Sequence, residues 1–530
     1  MGKKALWWCL VLTCLLVPLA GDGLKMNLKN YCESWRMNVE LHNVRDFQVV
    51  PEECIEYIGK YVTSTQYKVD SQMATEECLV YLSTSCNLKR DGLDAWIFDI
   101  DDTLLSTLPY YEDNLYGGRK VSVTSLEEWM KKGNAPALDH SLKLYNELKS
   151  RGVQIFLVTS RREHLRSVTI DNLVKVGYYG WTKIIFRDPA NELVSVKKYK
   201  SDVRKQIIKD GYRIWGILGD QYSSIEGIPS PERAFKLPNP IFVFYNKVSV
   251  SEMKIHRISF FIIDIFFSSG ILASYGTLWW CLVLTCVLVP LAGAAADWNI
   301  LKLKTRDGLK ISLKNYCESW RMNVELHNIR DFQVVPEECI EYIGKYVTST
   351  QYKVDSQRST EECLVYLSTS CNLKKDGLDA WIFDIDDTLL STVPYYKDNL
   401  YGGRKLNETS LEDWMKKGNA PALDHSLKLY DELKSRGVQI LLVTSRKEHL
   451  RSATIDNLVK VGYYGWTKII FRDAANELVS VQKYKSDVRK QIINDGYRIW
   501  GILGDQYSSV EGIPNPRRAF KLPNPMYYVA

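Results

Sequence analysis

Short apolar runs alternate with amphipathic stretches along the chain. Four runs bounded by turn residues are typical of buried parallel strands, and they lie at residues 95–98, 153–158, 183–186 and 212–218. Between the first two runs, Leu138, Leu142 and Leu148 fall on one face of a predicted helix that stops at Gly152. With a helical region predicted over residues 28–85, this order indicates an α/β protein with a doubly wound parallel sheet.

The whole pattern occurs twice. Residues 22–240 and residues 307–525 align with a constant shift of 285 positions, and about nine aligned positions in ten are identical. Each copy is long enough to form one α/β core. We call residues 22–240 repeat 1 and residues 307–530 repeat 2, and we predict the same fold in each.

A signal-like apolar segment stands before each repeat. Within residues 1–21, Lys3 and Lys4 precede an apolar run and then small residues, which is the order of a secretory signal peptide. This order predicts the secretory pathway and a vacuolar or extracellular location. Residues 241–306 separate the repeats; the part 241–277 matches nothing else in the chain, and a second such segment follows at 278–293. We therefore expect two tandem genes read as one, and a membrane contact only if the apolar stretch 258–293 is retained.

Charge and cysteine content limit the class of protein. The net charge of +6 is spread along a chain with 25% charged residues and no Lys/Arg block, so nucleic acid is not an expected partner. Repeat 2 has a glycosylation sequon at Asn407. Four cysteines per repeat behind a signal peptide predict one or two disulfides, with the pairing open and buried free thiols as the alternative. These cysteines are Cys32, Cys54, Cys78 and Cys86, then Cys317, Cys339, Cys363 and Cys371.

Acidic, hydroxyl and amine side chains follow the predicted strands. Asp99 and Asp101 come directly after the first strand, and Thr159 follows the second. Asp220 follows the fourth strand, and Lys200 lies near the start of a predicted helix. Because the carboxyl ends of parallel strands share one edge of a sheet, we expect these groups to converge. Repeat 2 has the same residue types at Asp384, Asp386, Thr444, Lys485 and Asp505.

The stretches "FDIDDTLLS", "LVTSR", "YKSDVRK" and "ILGDQYSS" resemble the four motifs of the haloacid dehalogenase (HAD) superfamily. More narrowly, the repeats look like plant acid phosphatases of the class B type and legume vegetative storage proteins, including "FKLPNPMYY" near the C-terminus. The resemblance covers nearly all of each repeat and none of residues 241–277. It implies a HAD-like fold with a small cap insertion, present twice.

The residue chemistry of repeat 1 agrees with a phosphatase. The Asp99 carboxylate can attack phosphorus to form an aspartyl-phosphate, and Asp101 can protonate the leaving alcohol. We expect Mg²⁺ to be held by Asp99, by Asp220 and by the backbone carbonyl of Asp101. Thr159 and Lys200 would hold the remaining phosphoryl oxygens. The predicted function is an acid phosphatase acting on small phosphomonoesters, with the corresponding residues of repeat 2 in the same roles.

One departure from the superfamily pattern keeps a second function open. The fourth motif is GDxxxD in the superfamily, whereas both repeats have a serine in place of the second acid, at Ser224 and Ser509. A serine has no charge, so Mg²⁺ should bind more weakly. A vegetative storage protein with residual activity is therefore the main alternative to the phosphatase, and a phosphotransferase is a third candidate function. Arg161 is either a surface residue or a phosphate contact, and a homodimer remains open because no interface is indicated.

Overall fold

The computed structural model describes residues 27–44, 49–241, 311–330 and 332–529. The predicted signal peptide and the apolar stretch 258–293, with its predicted membrane contact, lie outside these residues. None of the helices within the described ranges has both the length and the apolar character that a membrane span needs. The described residues of both repeats belong to one compact unit.

Repeat 1 begins with helices and continues as alternating strands and helices. Its helices are α1 (Leu28–Glu40), α2 (Ile55–Val62), α3 (Thr65–Thr84), α4 (Leu108–Glu112), α5 (Val123–Met130), α6 (Asp139–Ser150), α7 (Arg166–Lys175), α8 (Val196–Lys209) and α9 (Tyr222–Ile225). Its strands are β1 (Asp94–Phe98), β2 (Gln154–Arg162), β3 (Lys183–Arg187), β4 (Arg213–Gly219) and β5 (Arg233–Lys236).

Repeat 2 has the same order of elements. Its helices are α10 (Leu313–Glu325), α11 (Ile340–Val347), α12 (Thr350–Thr369), α13 (Val393–Asp398), α14 (Glu408–Lys416), α15 (Asp424–Ser435), α16 (Arg451–Lys460), α17 (Val481–Asn494) and α18 (Tyr507–Val510). Its strands are β6 (Asp379–Phe383), β7 (Gln439–Lys447), β8 (Lys468–Arg472), β9 (Arg498–Gly504) and β10 (Arg518–Lys521).

Each repeat has a five-stranded parallel sheet, in the order β3-β2-β1-β4-β5 in repeat 1 and β8-β7-β6-β9-β10 in repeat 2. The sequence pattern predicted four strands and missed β5, because this strand has only four residues and charged ones at both ends. The pattern also ended β2 at Val158, whereas the strand continues through three polar residues to Arg162. Its pairing register with β3 shifts there.

Helices cover both faces of the sheet, which confirms the doubly wound fold. On one face, Trp96 and Phe98 pack with residues of α3 and α6. On the other face, Ala95 and Ile97 pack with residues of α8. Gly216 lies opposite Trp96 on the neighbouring strand, and a Cβ atom there would lie 2.4 Å from the indole ring. The glycine is therefore required for this close approach.

The predicted helical region at residues 28–85 forms the three helices α1, α2 and α3. A disulfide joins Cys32 of α1 to Cys54, just before α2, and the equivalent bond in repeat 2 joins Cys317 to Cys339. The structure thus selects one of the pairings that the sequence left open. The other four cysteines within the described ranges are free thiols: Cys78, Cys86, Cys363 and Cys371.

Candidate active site

The loop after β1 holds Asp99 in a buried polar triad. Asp99 Oδ1 accepts a hydrogen bond from the backbone N–H of Ile100 at 2.8 Å. Its Oδ2 accepts from Lys200 Nζ at 2.6 Å and from Ser224 Oγ at 2.5 Å. Lys200 Nζ also donates to Ser224 Oγ at 2.9 Å, so the three side chains contact one another. Repeat 2 has the same triad, formed by Asp384, Lys485 and Ser509.

Three separate elements bring this triad together. Asp99 follows β1, Lys200 lies in the second turn of α8, and Ser224 lies in the short helix α9 after β4. All three side chains are buried. The sequence predicted that Asp99 and Lys200 would converge, and the structure places them in direct contact. The sequence did not predict that Ser224 would contact both Asp99 and Lys200.

The side chain of Asp101 is held by Arg161. Nε and Nη2 of Arg161 donate to the two carboxylate oxygens at 2.7–3.2 Å, and Nη1 donates to Thr169 at 3.0 Å. Arg161 is only 4% exposed, so its interpretation as a surface residue is wrong. Thr159 is buried on the same strand, and its Oγ1 accepts from the backbone N–H of Arg161 at 3.0 Å. The corresponding contacts in repeat 2 involve Asp386, Arg446, Thr454 and Thr444.

Two further residues at this edge were not predicted from the sequence, Asp102 and Asn239. Asn239 Nδ2 donates to Asp220 Oδ2 at 2.8 Å and lies 3.4 Å from Asp102 Oδ2. Asp102 also accepts from the backbone N–H and the hydroxyl of Thr107, at 2.8 and 2.5 Å. In the sequence, these residues were marked only by their occurrence inside "DIDD" and "KLPNP". Neither stretch reveals which buried group its residue contacts.

Burial and mutual repulsion affect the acidic groups of this edge. Burial, with repulsion from Asp99 and Asp102, raises the pKa of Asp220 to about 8. Burial also raises the pKa of Asp102 to about 6. The site therefore holds more carboxyl groups than its buried cations neutralise. This excess of negative charge is what a bound cation would relieve.

A tyrosine hydroxyl group contacts the acidic groups at this edge of repeat 2. In repeat 2, Tyr527 Oη donates to Asp387 Oδ2 at 2.8 Å and to Asp505 Oδ2 at 3.0 Å. Its ring stacks on Tyr396 with a centroid distance of 4.9 Å. The aligned residue of repeat 1 is Phe242, which lacks the hydroxyl and lies outside the described residues.

The residues at this edge fit a divalent cation with oxygen ligands. The described part of the chain has no cluster of three or more His, Cys, Asp or Glu side chains arranged for a metal ion. The ligand set predicted from the sequence needs only two carboxylates, from Asp99 and Asp220, and one backbone carbonyl. Repulsion from Asp99 contributes to the raised pKa of Asp220, so the two carboxylates interact in a buried environment. Hard oxygen donors of this kind suit Mg²⁺.

The fold and the aspartate loop at the end of its central strand define the chain as an α/β protein of the haloacid dehalogenase type. The family model described as "HAD superfamily, subfamily IIIB (Acid phosphatase)" matches residues 22–245 and 304–530, and the chain belongs to this family. Enzymes of this family are acid phosphatases, which typically use a divalent metal ion. The double match also shows the tandem duplication.

Several curated proteins are similar to about one repeat. Acid phosphatase 1 of Solanum lycopersicum is 41% identical over 224 residues, which cover 42% of this chain and 85% of that protein. Stem 28 kDa glycoprotein of Glycine max is 40% identical, over 46% of this chain and 95% of that protein. Vegetative storage protein 1 of Arabidopsis thaliana is 38% identical, over 44% and 85%. A solved class C acid phosphatase from Bacillus anthracis matches with a TM-score of 0.31 at 21% identity, over 36% of this chain and 84% of that chain.

The sequon asparagine of repeat 2 is exposed at the start of a helix. Asn407 is the N-cap of α14, where its Oδ1 accepts from the backbone N–H of Ser410 at 3.0 Å. Glycosylation of Asn407 stays a prediction.

The metal-free protein should lose stability as the pH rises from about 4 to about 8. The pKa is raised by burial to about 8 for Asp220, about 7 for Asp387 and about 6 for Asp102 and Asp505. In the unfolded chain it is about 3.9. A carboxyl group whose pKa is higher in the folded state contributes stability that is fully present below the unfolded pKa and is lost as pH rises through the folded pKa.

Urea unfolding after EDTA treatment, at an acid pH and near neutrality, measures this loss. Because other groups also titrate, the comparison is with a chain in which Asp220 and Asp505 are changed to asparagine, which should lose less stability over the same range. Added Mg²⁺ should restore part of the parent's stability near neutrality. An equal loss in the parent and the asparagine variant would contradict the prediction.

Proposed function

We propose that the protein is an acid phosphatase that hydrolyses small phosphomonoesters through an aspartyl-phosphate. The nucleophile is Asp99 in repeat 1 and Asp384 in repeat 2. The observation that supports this most strongly is the buried contact of each aspartate with a lysine ammonium, at 2.6 Å in repeat 1 and 2.5 Å in repeat 2. The lysine places a cation beside the attacking carboxylate, where phosphoryl oxygens would lie.

In the first step, the Asp99 carboxylate attacks phosphorus while the bond from phosphorus to the alcohol oxygen breaks. Lys200 donates hydrogen bonds to the phosphoryl oxygens, and we propose the same role for Thr159 of β2. In the second step, water displaces Asp99 from phosphorus and releases inorganic phosphate.

Asp101 transfers the protons. It protonates the departing alcohol oxygen in the first step and takes a proton from the attacking water in the second. The bidentate ion pair with Arg161 fixes the orientation of the Asp101 carboxylate during both steps. Asp386 and Arg446 form the equivalent pair in repeat 2.

We propose Mg²⁺ as the divalent ion, held in repeat 1 by Asp99, Asp220 and the backbone carbonyl of Asp101. When bound, it supplies positive charge to the phosphoryl oxygens. Asn239 fixes the orientation of Asp220 by donating a hydrogen bond to its Oδ2. The ligands in repeat 2 are Asp384, Asp505 and the carbonyl of Asp386.

A storage role is the second candidate function. The observation that favours it is the serine, at Ser224 and at Ser509, in place of the second acid of the fourth motif. A chain of this kind would accumulate as an amino-acid reserve and keep weak phosphatase activity. The similarity to vegetative storage protein 1 agrees with this role.

For the route and the domain boundaries, we propose secretion to the vacuole or the extracellular space after removal of residues 1–21. One similar protein is named a glycoprotein, which agrees with this route. We propose residues 22–240 and 307–530 as the two domains, separated by residues 241–306.

Hydrolysis of p-nitrophenyl phosphate by the full chain at acid pH tests the proposed function. We expect release of phosphate with Mg²⁺, loss of most activity after chelation with EDTA, and recovery when Mg²⁺ is returned. Added glycerol separates transfer from hydrolysis, because a phosphotransferase would form glycerol phosphate. A folded chain that releases no phosphate with Mg²⁺ would contradict the phosphatase and leave the storage role.

A further inference from the structure

The outer edge of β5 is paired with a side chain from the other repeat. β5 is the last strand of its sheet, and Leu237 N–H, just after it, donates to Gly219 O at 2.9 Å on the inner side. On the outer side, Lys236 N–H donates to Asn328 Oδ1 at 2.8 Å, and Asn328 Nδ2 donates to Lys236 O at 2.8 Å. A single carboxamide from repeat 2 thus pairs both outward backbone groups of Lys236, as a further strand would.

The reciprocal contact exists at β10. Lys521 N–H donates to Asn43 Oδ1 at 2.9 Å, and Asn43 Nδ2 donates to Lys521 O at 2.8 Å. Asn43 and Asn328 are both fully buried. Each asparagine is also held by its own repeat, where Nδ2 donates at 2.8 Å to Asn38 Oδ1 and to Asn323 Oδ1, respectively.

Arginines of the edge strands add a second link between the repeats. Arg233 of β5 donates to the backbone carbonyl of Asn328, and Arg518 of β10 donates to that of Asn43. The backbone and the side chain of each asparagine are therefore both bonded to the opposite repeat. The position of each edge strand depends on a residue outside its own sheet.

The supported strand end leads directly into the active site. Lys236 is three residues before Asn239, and the residues between them, Leu237 and Pro238, are buried. The proline ring limits the backbone freedom of this short connection. Asn239 Nδ2 then donates to Asp220 Oδ2 at 2.8 Å. A displacement of Lys236 would therefore move the group that orients Asp220.

We propose that Asn328 is a positioning residue for the active site of the opposite repeat. It supports the strand end that presents Asn239 to Asp220, and Asn43 does the same for Asn524 in repeat 2. Each catalytic edge is thus completed by the other repeat. The inference rests on the proposed phosphatase function, since it concerns how that site is held in place.

Two chains that each keep one nucleophile separate the two sites. Asp384→Asn leaves repeat 1 as the working site, and Asp99→Asn leaves repeat 2. With only repeat 1 working, Asn328→Ala should lower kcat roughly tenfold, although Asn328 lies in the disabled repeat. KM for p-nitrophenyl phosphate should change less than about twofold, because Asn239 contacts Asp220 rather than substrate.

Each of the two alanine substitutions should lower kcat only in the background whose working site is in the opposite repeat. Asn43→Ala should lower kcat only where Asp99→Asn leaves repeat 2 as the working site. The control is Asn315→Ala, which removes an inter-repeat hydrogen bond to Gln66 away from the edge strands and should leave kcat unchanged. Equal losses from Asn43→Ala and Asn328→Ala in one background, or no loss from either, would overturn the proposal.

Hydrogen exchange followed by mass spectrometry gives a result that does not depend on activity. Asn328→Ala should speed amide exchange in residues 233–241 and leave residues 518–526 unchanged, and Asn43→Ala should do the reverse. The two peptides differ in mass because Ile241 aligns with Met526.

The kinetic and the exchange measurements together distinguish a failure of the proposed function from a failure of this inference. If no background has phosphatase activity, the proposed function fails, and the exchange pattern still decides whether the support acts between the repeats. Unchanged exchange in both peptides would overturn the inference even in an active enzyme. Should the alanine chain fail to fold, Asn328→Asp keeps the shape and the acceptor for Lys236 N–H, and it removes the donor to Lys236 O and to Asn323 Oδ1.

Discussion

Changing both Asp99 and Asp384 to asparagine should lower hydrolysis of p-nitrophenyl phosphate by at least about 10³-fold. An amide cannot form the aspartyl-phosphate, and it also removes one of the two carboxylates proposed to hold Mg²⁺. Asparagine has the same shape, but its single oxygen can replace either Oδ1, the acceptor of the Ile100 N–H, or Oδ2, the acceptor of Lys200 and Ser224. Urea unfolding of the double variant alongside the parent therefore separates a loss of chemistry from a loss of folding. The measurement is the initial rate with saturating Mg²⁺ for the double variant and the parent.

Each single variant should keep the activity of the other repeat, because the sites have separate nucleophiles. The matched control changes two exposed carboxylates just after helices α8 and α17, Asp210→Asn and Asp495→Asn, and should leave the rate unchanged. It alters the net charge by the same amount as the double variant. A double variant within about tenfold of the parent would show that neither aspartate is the nucleophile.

The sequence predicted the parts of the fold that depend on local patterns. The four apolar strands were recognisable because buried parallel strands consist of continuous apolar runs. Asp99 and Lys200 were recognisable because their motifs stand next to such elements. β5 was not, because a short edge strand with charged ends shows no such run.

Contacts between distant residues could not be predicted in this way. Arg161 pairs with Asp101 across 60 positions of sequence, and Asn328 pairs with Lys236 across 92. The residue type gives the capacity of such a group to donate or accept, and only the packing of the chain selects its partner. The serine in place of an acid at position 224 was visible in the sequence. The contacts of Ser224 with Asp99 and Lys200 depend on how α9 packs against the end of β1.

Changing Ser224 and Ser509 to aspartate should raise the apparent affinity for Mg²⁺ by roughly 10- to 100-fold. Among the described residues, the Lys200 ammonium donates hydrogen bonds to two acceptors, Ser224 Oγ and the Asp99 carboxylate. A carboxylate at position 224 would share this ammonium and add negative charge beside Asp99 and Asp220. A cavity of about 10 Å³ next to Ser224 and Lys200 has room for about one of the two added heavy atoms, so neighbouring side chains must shift slightly to admit the other.

The control is the pair Ser224→Asn and Ser509→Asn, which has the same shape as the aspartate pair and no charge. Titration of p-nitrophenyl phosphate hydrolysis with Mg²⁺ gives the apparent affinity and the maximum rate for the three chains. The aspartate chain should need less Mg²⁺ than the parent, and the asparagine chain should not. An equal Mg²⁺ requirement in all three would contradict a role of this position in cation binding.

The maximum rate in the same titration separates the two candidate functions. If the parent reaches a high rate once Mg²⁺ is saturating, the serine only weakens cation binding and the chain is a working phosphatase. If the parent stays nearly inert at saturating Mg²⁺ and the aspartate chain gains rate, the loss of the acid has disabled the site. The second result favours storage, because Asp99, Asp101 and Lys200 would then be retained together without supporting turnover.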